Sequence, residues 1–117
     1  MTLFTQESGF VRIDVEGERL DAAVAPTLKA ELEKNLPPRP EKVLVDISGV
    51  RFLDSTGLGV LVSLLKMMDS GGMLAIAGAQ PVVQRLFKLT GMDRVFRLFD
   101  TDVEAMAALA GDASAAN

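Results

Sequence analysis

The sequence predicts a single α/β domain with a mixed, largely parallel sheet of four or five strands and about four helices. Three observations indicate this class. The 117 residues leave room for one hydrophobic core. Apolar residues make up 49% of the chain, which is enough to fill that core. Short apolar runs alternate with helical patterns, as in sheets whose parallel strands are joined by helices. We expect the domain to cover residues 1–110.

The amino-terminal part predicts two strands and a helix. Residues 3–6 form a weak strand pattern, and residues 10–16 alternate apolar and polar side chains, as a half-buried strand does. A helical pattern follows, with Pro26 in its first turn, where a missing N–H costs nothing. Asp21 is a candidate cap for this helix. Its apolar positions recur every fourth residue: Val24, Leu28, Leu32 and Leu36.

The middle of the chain predicts a strand-helix-strand unit. Residues 43–47 form a nearly continuous β-branched run, which is typical of a central strand covered on both faces. A helix is predicted over residues 56–70, and a second buried strand over 73–77. Units of this size join parallel strands by a right-handed crossover.

The carboxyl-terminal part predicts two more helices. The first runs from Pro81 to Thr90 and ends at Gly91, a favourable helix terminator. Residues 95–99 are a candidate last strand, followed by a helix capped within residues 100–102 and ending at Leu109. We expect residues 111–117, which are small and polar, to form a disordered tail.

Composition excludes several classes of function. Twelve basic and sixteen acidic residues give a net charge of −4, which disfavours binding to nucleic acid. The chain has no cysteine and no histidine, so it lacks a thiol nucleophile, the usual general base and the commonest metal ligand. We find no signal-peptide pattern, and the longest apolar run, residues 60–68, is too short to span a membrane. We expect a soluble, cytoplasmic protein.

The most informative segment is residues 52–59, Phe-Leu-Asp-Ser-Thr-Gly-Leu-Gly, between a predicted strand and a predicted helix. Asp54, Ser55 or Thr56 can each cap that helix, and Gly57 and Gly59 permit close approach of another molecule. A hydroxyl here lies at the positive end of the helix dipole, which favours an added phosphate. The residues alone leave two interpretations open, a plain helix cap and a phosphoacceptor.

Enzymatic interpretations of this segment are weaker. A nucleophilic Ser55 would have no histidine to activate it, and the Gly-x-Ser-x-Gly motif is absent. No Gly-Lys-Ser/Thr follows the glycines, which argues against a nucleotide loop. Asp46 and Asp54 could form a carboxylate pair, but the sequence offers no partner group for them. We therefore expect no catalytic activity.

Residues 53–61, Leu-Asp-Ser-Thr-Gly-Leu-Gly-Val-Leu, resemble the signature of the STAS domain, specifically that of anti-sigma factor antagonists. Further similarities extend along most of the chain. They are Gly17 followed by Leu20-Asp21-Ala22, the strand ending Val45-Asp46, Gly71-Gly72, and residues 81–87 with Thr90-Gly91.

The resemblance implies a phosphorylation switch. By position, Ser55 is the residue that an anti-sigma factor with ATP-dependent serine kinase activity phosphorylates. The unphosphorylated antagonist binds this kinase, which then releases a sigma factor, and a metal-dependent serine phosphatase resets the switch. The resemblance assigns ATP and Mg²⁺ to the kinase, so it implies that this chain needs no cofactor of its own. A rival interpretation is a STAS module that is never phosphorylated, within a lipid-transport or stress-signalling assembly.

A helical projection assigns two faces to the predicted helix at residues 56–70. Leu58, Leu61, Leu65 and Met68 should face the core, whereas Thr56, Gly59, Ser63, Lys66 and Ser70 lie on the opposite face. Val60 and Met67 lie beside that polar face, either as ordinary border residues or as part of a partner-binding patch. Asp21 either caps the first helix or faces the kinase. The predicted partner surface consists of Asp21, Asp54, Thr56, Gly57, Gly59, Val60, Ser63 and Met67.

Overall fold

A five-stranded sheet forms the centre of the domain in the computed structural model, which describes the backbone of residues 2–115 and the side chains of residues 2–111. Its strands are β1 (Thr2–Gln6), β2 (Val11–Val15), β4 (Lys42–Asp46), β6 (Met73–Ala77) and β7 (Arg97–Phe99), in that spatial order. The segments β3 (Arg19–Leu20) and β5 (Phe52–Leu53) pair separately. The helices in the described chain are α1 (Ala25–Asn35), α2 (Ser55–Met67), α3 (Pro81–Thr90) and α4 (Asp102–Ala115).

Strand pairing confirms the mixed, largely parallel sheet. Strands β1 and β2 pair antiparallel, with Phe4 opposite Ile13, whereas β2–β4, β4–β6 and β6–β7 are parallel. The parallel pairs require crossovers, which α1, α2 and α3 supply on one face of the sheet. All four predicted helices and all five predicted strands occur. The short pair β3–β5 was not predicted, because two residues per strand are too few to show a period.

Two cores lie on opposite faces of the sheet. The larger one fills the space between the sheet and helices α1, α2 and α3, where Ile13, Leu61 and Phe87 are almost fully buried. The smaller one lies under α4, where Leu44 and Ala75 of the sheet pack with Leu109. Strand β4 contributes to both cores, which explains why residues 43–45 are uniformly apolar.

Helix α4 begins as predicted and ends later than predicted. The Thr101 hydroxyl oxygen accepts a hydrogen bond from the Glu104 amide at 3.1 Å, which caps the helix. The helix continues to Ala115, six residues beyond the predicted end at Leu109. Three of the six added residues are alanine, which has the highest helix propensity and favours this continuation. The rest of the predicted tail, residues 116–117, lies outside the described residues.

A charged cluster attaches α4 to the sheet. The Arg12 guanidinium on β2 donates hydrogen bonds to Asp14, to Asp46 on β4 at 3.2 Å and to Asp102 on α4 at 3.0 Å. The hydrogen bond from Arg12 is the main reason that the pKa of Asp102 lies below its ordinary value. Arg12 therefore adds a charged link between the sheet and α4 to the apolar contacts of the smaller core.

This cluster predicts an acid-sensitive fold. A carboxylate with a lowered folded-state pKa binds fewer protons than in the unfolded chain, so its contribution is complete above about pH 4 and disappears below it. We expect the free energy of unfolding to fall as pH is lowered from 7 to 3, and to fall less in Asp102→Asn. Urea unfolding at several pH values measures this difference. An identical pH dependence in both proteins would contradict the role of Asp102.

Candidate functional site

The candidate site is the junction between strand β5 and helix α2, where Asp54 caps the helix. Asp54 has an extended backbone, and its Oδ1 accepts a hydrogen bond from the Gly57 amide at 2.9 Å. Its Oδ2 accepts from the Ala22 amide at 3.2 Å. One carboxylate therefore caps α2 and also ties it to the loop between β3 and α1.

This double contact predicts the effect of removing the carboxylate. Asp54→Ala loses the cap and the link to Ala22, so we expect a loss of stability of about 1–2 kcal/mol. Asp54→Asn keeps an acceptor oxygen and serves as the matched control, with a smaller expected loss. Urea unfolding of the two variants measures the difference. Equal stability of Asp54→Ala and the parent chain would show that the cap has no energetic role.

Ser55 is the first residue of α2, and both Ser55 and Thr56 are exposed. Of the three candidate caps, Asp54, Ser55 and Thr56, Asp54 is the one that caps α2. Among residues 2–111, the Ser55 hydroxyl makes no hydrogen bond to another protein group. The site thus presents a free hydroxyl to solvent at the positive end of a helix of 13 residues.

Asp21 lies in the loop that Asp54 holds. Its Oδ1 accepts from the amides of Ala23 at 3.1 Å and Val24 at 3.3 Å, and its Oδ2 accepts from Arg19 Nε at 2.8 Å. The hydrogen bond from Arg19 is the main reason that the pKa of Asp21 is lowered. Asp21 therefore stabilises the turn before α1, and the Asp54–Ala22 hydrogen bond holds this turn beside the start of α2.

The buried face of α2 differs from the predicted one. Val60 is 5% exposed and belongs to the main core, as does Leu64, whereas Leu58 and Leu65 are only half-buried. The prediction that Val60 lies beside the exposed face is wrong. The helix is rotated towards Val60 and Leu64 because its start is held against β3, a contact that helical periodicity does not report.

Gly57 also differs from its predicted role as exposed backbone. The residue is buried, and a Cβ atom at this position would lie 2.1 Å from the Leu20 carbonyl oxygen. Gly57 therefore permits α2 to approach β3 closely. Gly59 is exposed and has open space at its Cβ position, as predicted for a residue that another molecule could approach.

The other predicted residues on α2 are neither as buried as Val60 nor all as exposed as Gly59. Ser63 and Met67 are half-buried, and Met67 packs against the main core while keeping part of its surface exposed. Lys66 is exposed. The exposed surface near the start of α2 therefore consists of Ser55, Thr56 and Gly59, with a smaller contribution from Met67.

Sequence reasoning missed Arg19 and Phe52 as neighbours of the site. These residues pair across β3 and β5, and the Arg19 guanidinium stacks over the Phe52 ring at 4.6 Å. Phe52 is 44% exposed, which is unusual for an aromatic residue. The sequence signal for this contact is Phe52 itself, an aromatic residue without a predicted role two positions before Asp54. The stacking could not be predicted, because it depends on strand pairing between distant segments.

The two carboxylates considered as a catalytic pair have separate partners. Asp46 accepts hydrogen bonds from Arg12 and from the Ser48 amide, whereas Asp54 accepts from Ala22 and Gly57. Each carboxylate thus has a structural role of its own.

Within the described part of the chain, every helix is too short or too polar to cross a membrane.

This arrangement matches a known domain family, that of the STAS domain. The family model for this domain matches residues 3–105, and the chain belongs to the STAS domain family. An anti-sigma-B factor antagonist of Staphylococcus aureus is 31% identical over 102 residues, which cover 86% of this chain and 94% of that protein.

Two further relatives agree with this assignment. A solved anti-sigma factor antagonist from Mycobacterium paratuberculosis superimposes with a TM-score of 0.83 and 28% identity, covering 93% of this chain and 92% of that one. A Thermotoga maritima relative is 39% identical over 66 residues, so the matched segment spans 58% of that protein and 56% of this chain. The chain is thus similar to anti-sigma factor antagonists in both sequence and structure.

Proposed function

We propose that this protein is an anti-sigma factor antagonist whose unphosphorylated form binds a kinase-type anti-sigma factor and thereby releases a sigma factor. The single observation that supports this most directly is the exposed, free hydroxyl of Ser55 at the start of α2. The similarity to named antagonists over most of the chain supports the same class.

The proposed partner surface lies around Ser55. It comprises the exposed turn at residues 22–24, which the buried Asp21 carboxylate holds, the cap residue Asp54, and the exposed residues Thr56 and Gly59, with Ser63 and Met67 further along α2. Val60 is omitted because its side chain is buried, and Gly57 because it packs against Leu20. The hydrogen bond between Asp54 and Ala22 holds the two parts of this surface together.

Phosphoryl transfer to Ser55 would form a bond between its Oγ and the γ-phosphorus of ATP, with ADP leaving. The proton of the hydroxyl must pass to a base. The Asp54 carboxylate is already an acceptor for two amides, and histidine is absent from the chain. We therefore assign the base, ATP and Mg²⁺ to the kinase. A serine phosphatase would remove the phosphate.

Mass spectrometry of the protein after reaction with the cognate kinase and ATP tests this proposal. We expect an increase of about 80 Da, one phosphate, located on Ser55. Thr56→Ala should still be phosphorylated, whereas Ser55→Ala should not. Phosphate on Thr56 alone would contradict the assignment. Tight binding without any phosphate transfer would favour a scaffold module that is never phosphorylated.

A further inference from the structure

An apolar groove of about 260 Å³ lies between strand β5 and helix α3. Phe52 and Leu53 form one side, and Val82, Leu86 and Leu89 form the other. None of these residues belongs to the surface proposed around Ser55. The groove is therefore a separate feature, although only Asp54 separates its edge from Ser55 in the sequence.

Helix α3 has two apolar stripes, and only one of them is fully buried in the core. Val83 and Phe87 are buried in the main core. Val82, Leu86 and Leu89 form a second stripe at helical spacing. Val82 is 60% and Leu89 is 78% exposed, whereas Leu86 between them is half-buried against the main core. A surface helix ordinarily has one apolar stripe, and contiguous exposed apolar surface of this kind marks sites of association.

The rim of the groove is positively charged, although the whole chain has a net charge of −4. Arg51 and Arg85 line it. Arg19 stacks over the Phe52 ring, but its charge is paired with Asp21 at 2.8 Å and adds little to the rim. Within residues 2–111, Arg85 has no carboxylate within ion-pair distance. The contact of Arg51 with Glu18 is 3.9 Å long between side chains that are each 75% exposed, so it is weak.

We propose that this groove docks an amphipathic helix of a partner protein, in which an apolar stripe is flanked by Asp or Glu residues. The second stripe of α3 covers about 10 Å, at 1.5 Å per residue, which matches an i, i+4, i+7 stripe on a facing helix. The groove is smaller than the sites that hold drug-sized ligands, but it accommodates individual apolar side chains. Arginine binds carboxylates in a bidentate manner, so the rim selects an acidic partner.

This inference does not depend on phosphorylation of Ser55. The test uses the full chain labelled with ¹⁵N and a synthetic helical peptide that has leucines at i, i+4 and i+7 and flanking glutamates. A peptide of the same composition in scrambled order is the control. In NMR titrations we expect amide shifts along β5 and α3 with the patterned peptide, and affinity that falls with added salt.

Variants make this test specific. Val82→Ser with Leu89→Ser should weaken peptide binding at least about tenfold, and Arg85→Glu should weaken it by a similar factor. Val103→Ser is the matched control, because Val103 is 67% exposed on α4 and does not line the groove. Its affinity should be unchanged. All substituted residues are exposed, and circular dichroism checks that each variant folds.

Several results would overturn the proposal. Equal binding of the scrambled peptide, or shifts outside β5 and α3, would show that the groove does not recognise the pattern. Self-association that disappears in the Val82→Ser, Leu89→Ser variant would identify a second copy of this chain as the occupant. Binding to phosphatidylglycerol vesicles that disappears in the same variant would identify a membrane surface. Either result would contradict the proposal that the groove docks an acidic helix of a partner protein.

Discussion

Phosphorylation of Ser55 should weaken binding to the anti-sigma factor more than about a hundredfold while leaving the fold intact. A phosphoserine adds about −1.5 to −2 charges at pH 7. At a docked interface this charge loses water and faces the carboxylates nearby, and such like-charge contacts cost several kcal/mol. A cost of about 3 kcal/mol corresponds to the hundredfold loss, since each 1.4 kcal/mol is a factor of ten.

The stability of the free domain should change little. The phosphate at the start of α2 gains about 0.3–1 kcal/mol from the helix dipole. The neighbouring Asp54 and Asp21, which the Asp54–Ala22 hydrogen bond holds beside the site, oppose this gain. The phosphorylated protein therefore differs from the unmodified one mainly at its interface, because the charge is well solvated until a partner docks.

Two measurements separate these effects. Titration of the anti-sigma factor without ATP, using the purified phosphorylated and unmodified forms, gives the change in affinity. Thermal melts of the two forms give the change in stability. Ser55→Ala serves as a control that should bind without being phosphorylated. A large shift in melting temperature with unchanged affinity would contradict an interface mechanism and indicate a change within the domain.

Gly57→Ala should destabilise the domain by about 3 kcal/mol, at the upper end of the range for overpacking a core. The added Cβ would lie 2.1 Å from the Leu20 carbonyl oxygen, 2.8 Å from its carbonyl carbon and 2.9 Å from Leu53 Cδ1. Two of these atoms belong to the backbone, so the start of α2 must move away from β3. That movement also strains the hydrogen bond from the Gly57 amide to Asp54.

Gly59→Ala is the matched control in the same helix. Its Cβ would meet open space, and replacing a helical glycine with alanine is favourable by about 0.5–1 kcal/mol. Thermal unfolding should show a melting temperature about 10 °C lower for Gly57→Ala and slightly higher for Gly59→Ala. If both variants melted at the parent temperature, the packing of α2 on β3 described here would be wrong.

The order of helices and strands was predictable because most elements have strong local signals. The β-branched run at residues 43–47 determines a strand, and the proline and glycine at the two ends of α3 determine a helix. In both cases the residues involved are close in sequence. The position of Ser55 at a helix start also follows from neighbouring residues, and the STAS resemblance depends on the same segment. Local propensity, helix capping and hydrophobic period therefore determined the fold class and the location of the site.

The tertiary structure alone decided which side of α2 is buried and which residue caps it. Val60 is buried, and Gly57 is required, because the start of α2 packs on the backbone of Leu20. Arg19 and Phe52 meet only because β3 and β5 pair. These contacts join residues more than thirty positions apart. Helical periodicity specifies the spacing of apolar side chains, but the rotation of the helix depends on the surface against which it packs.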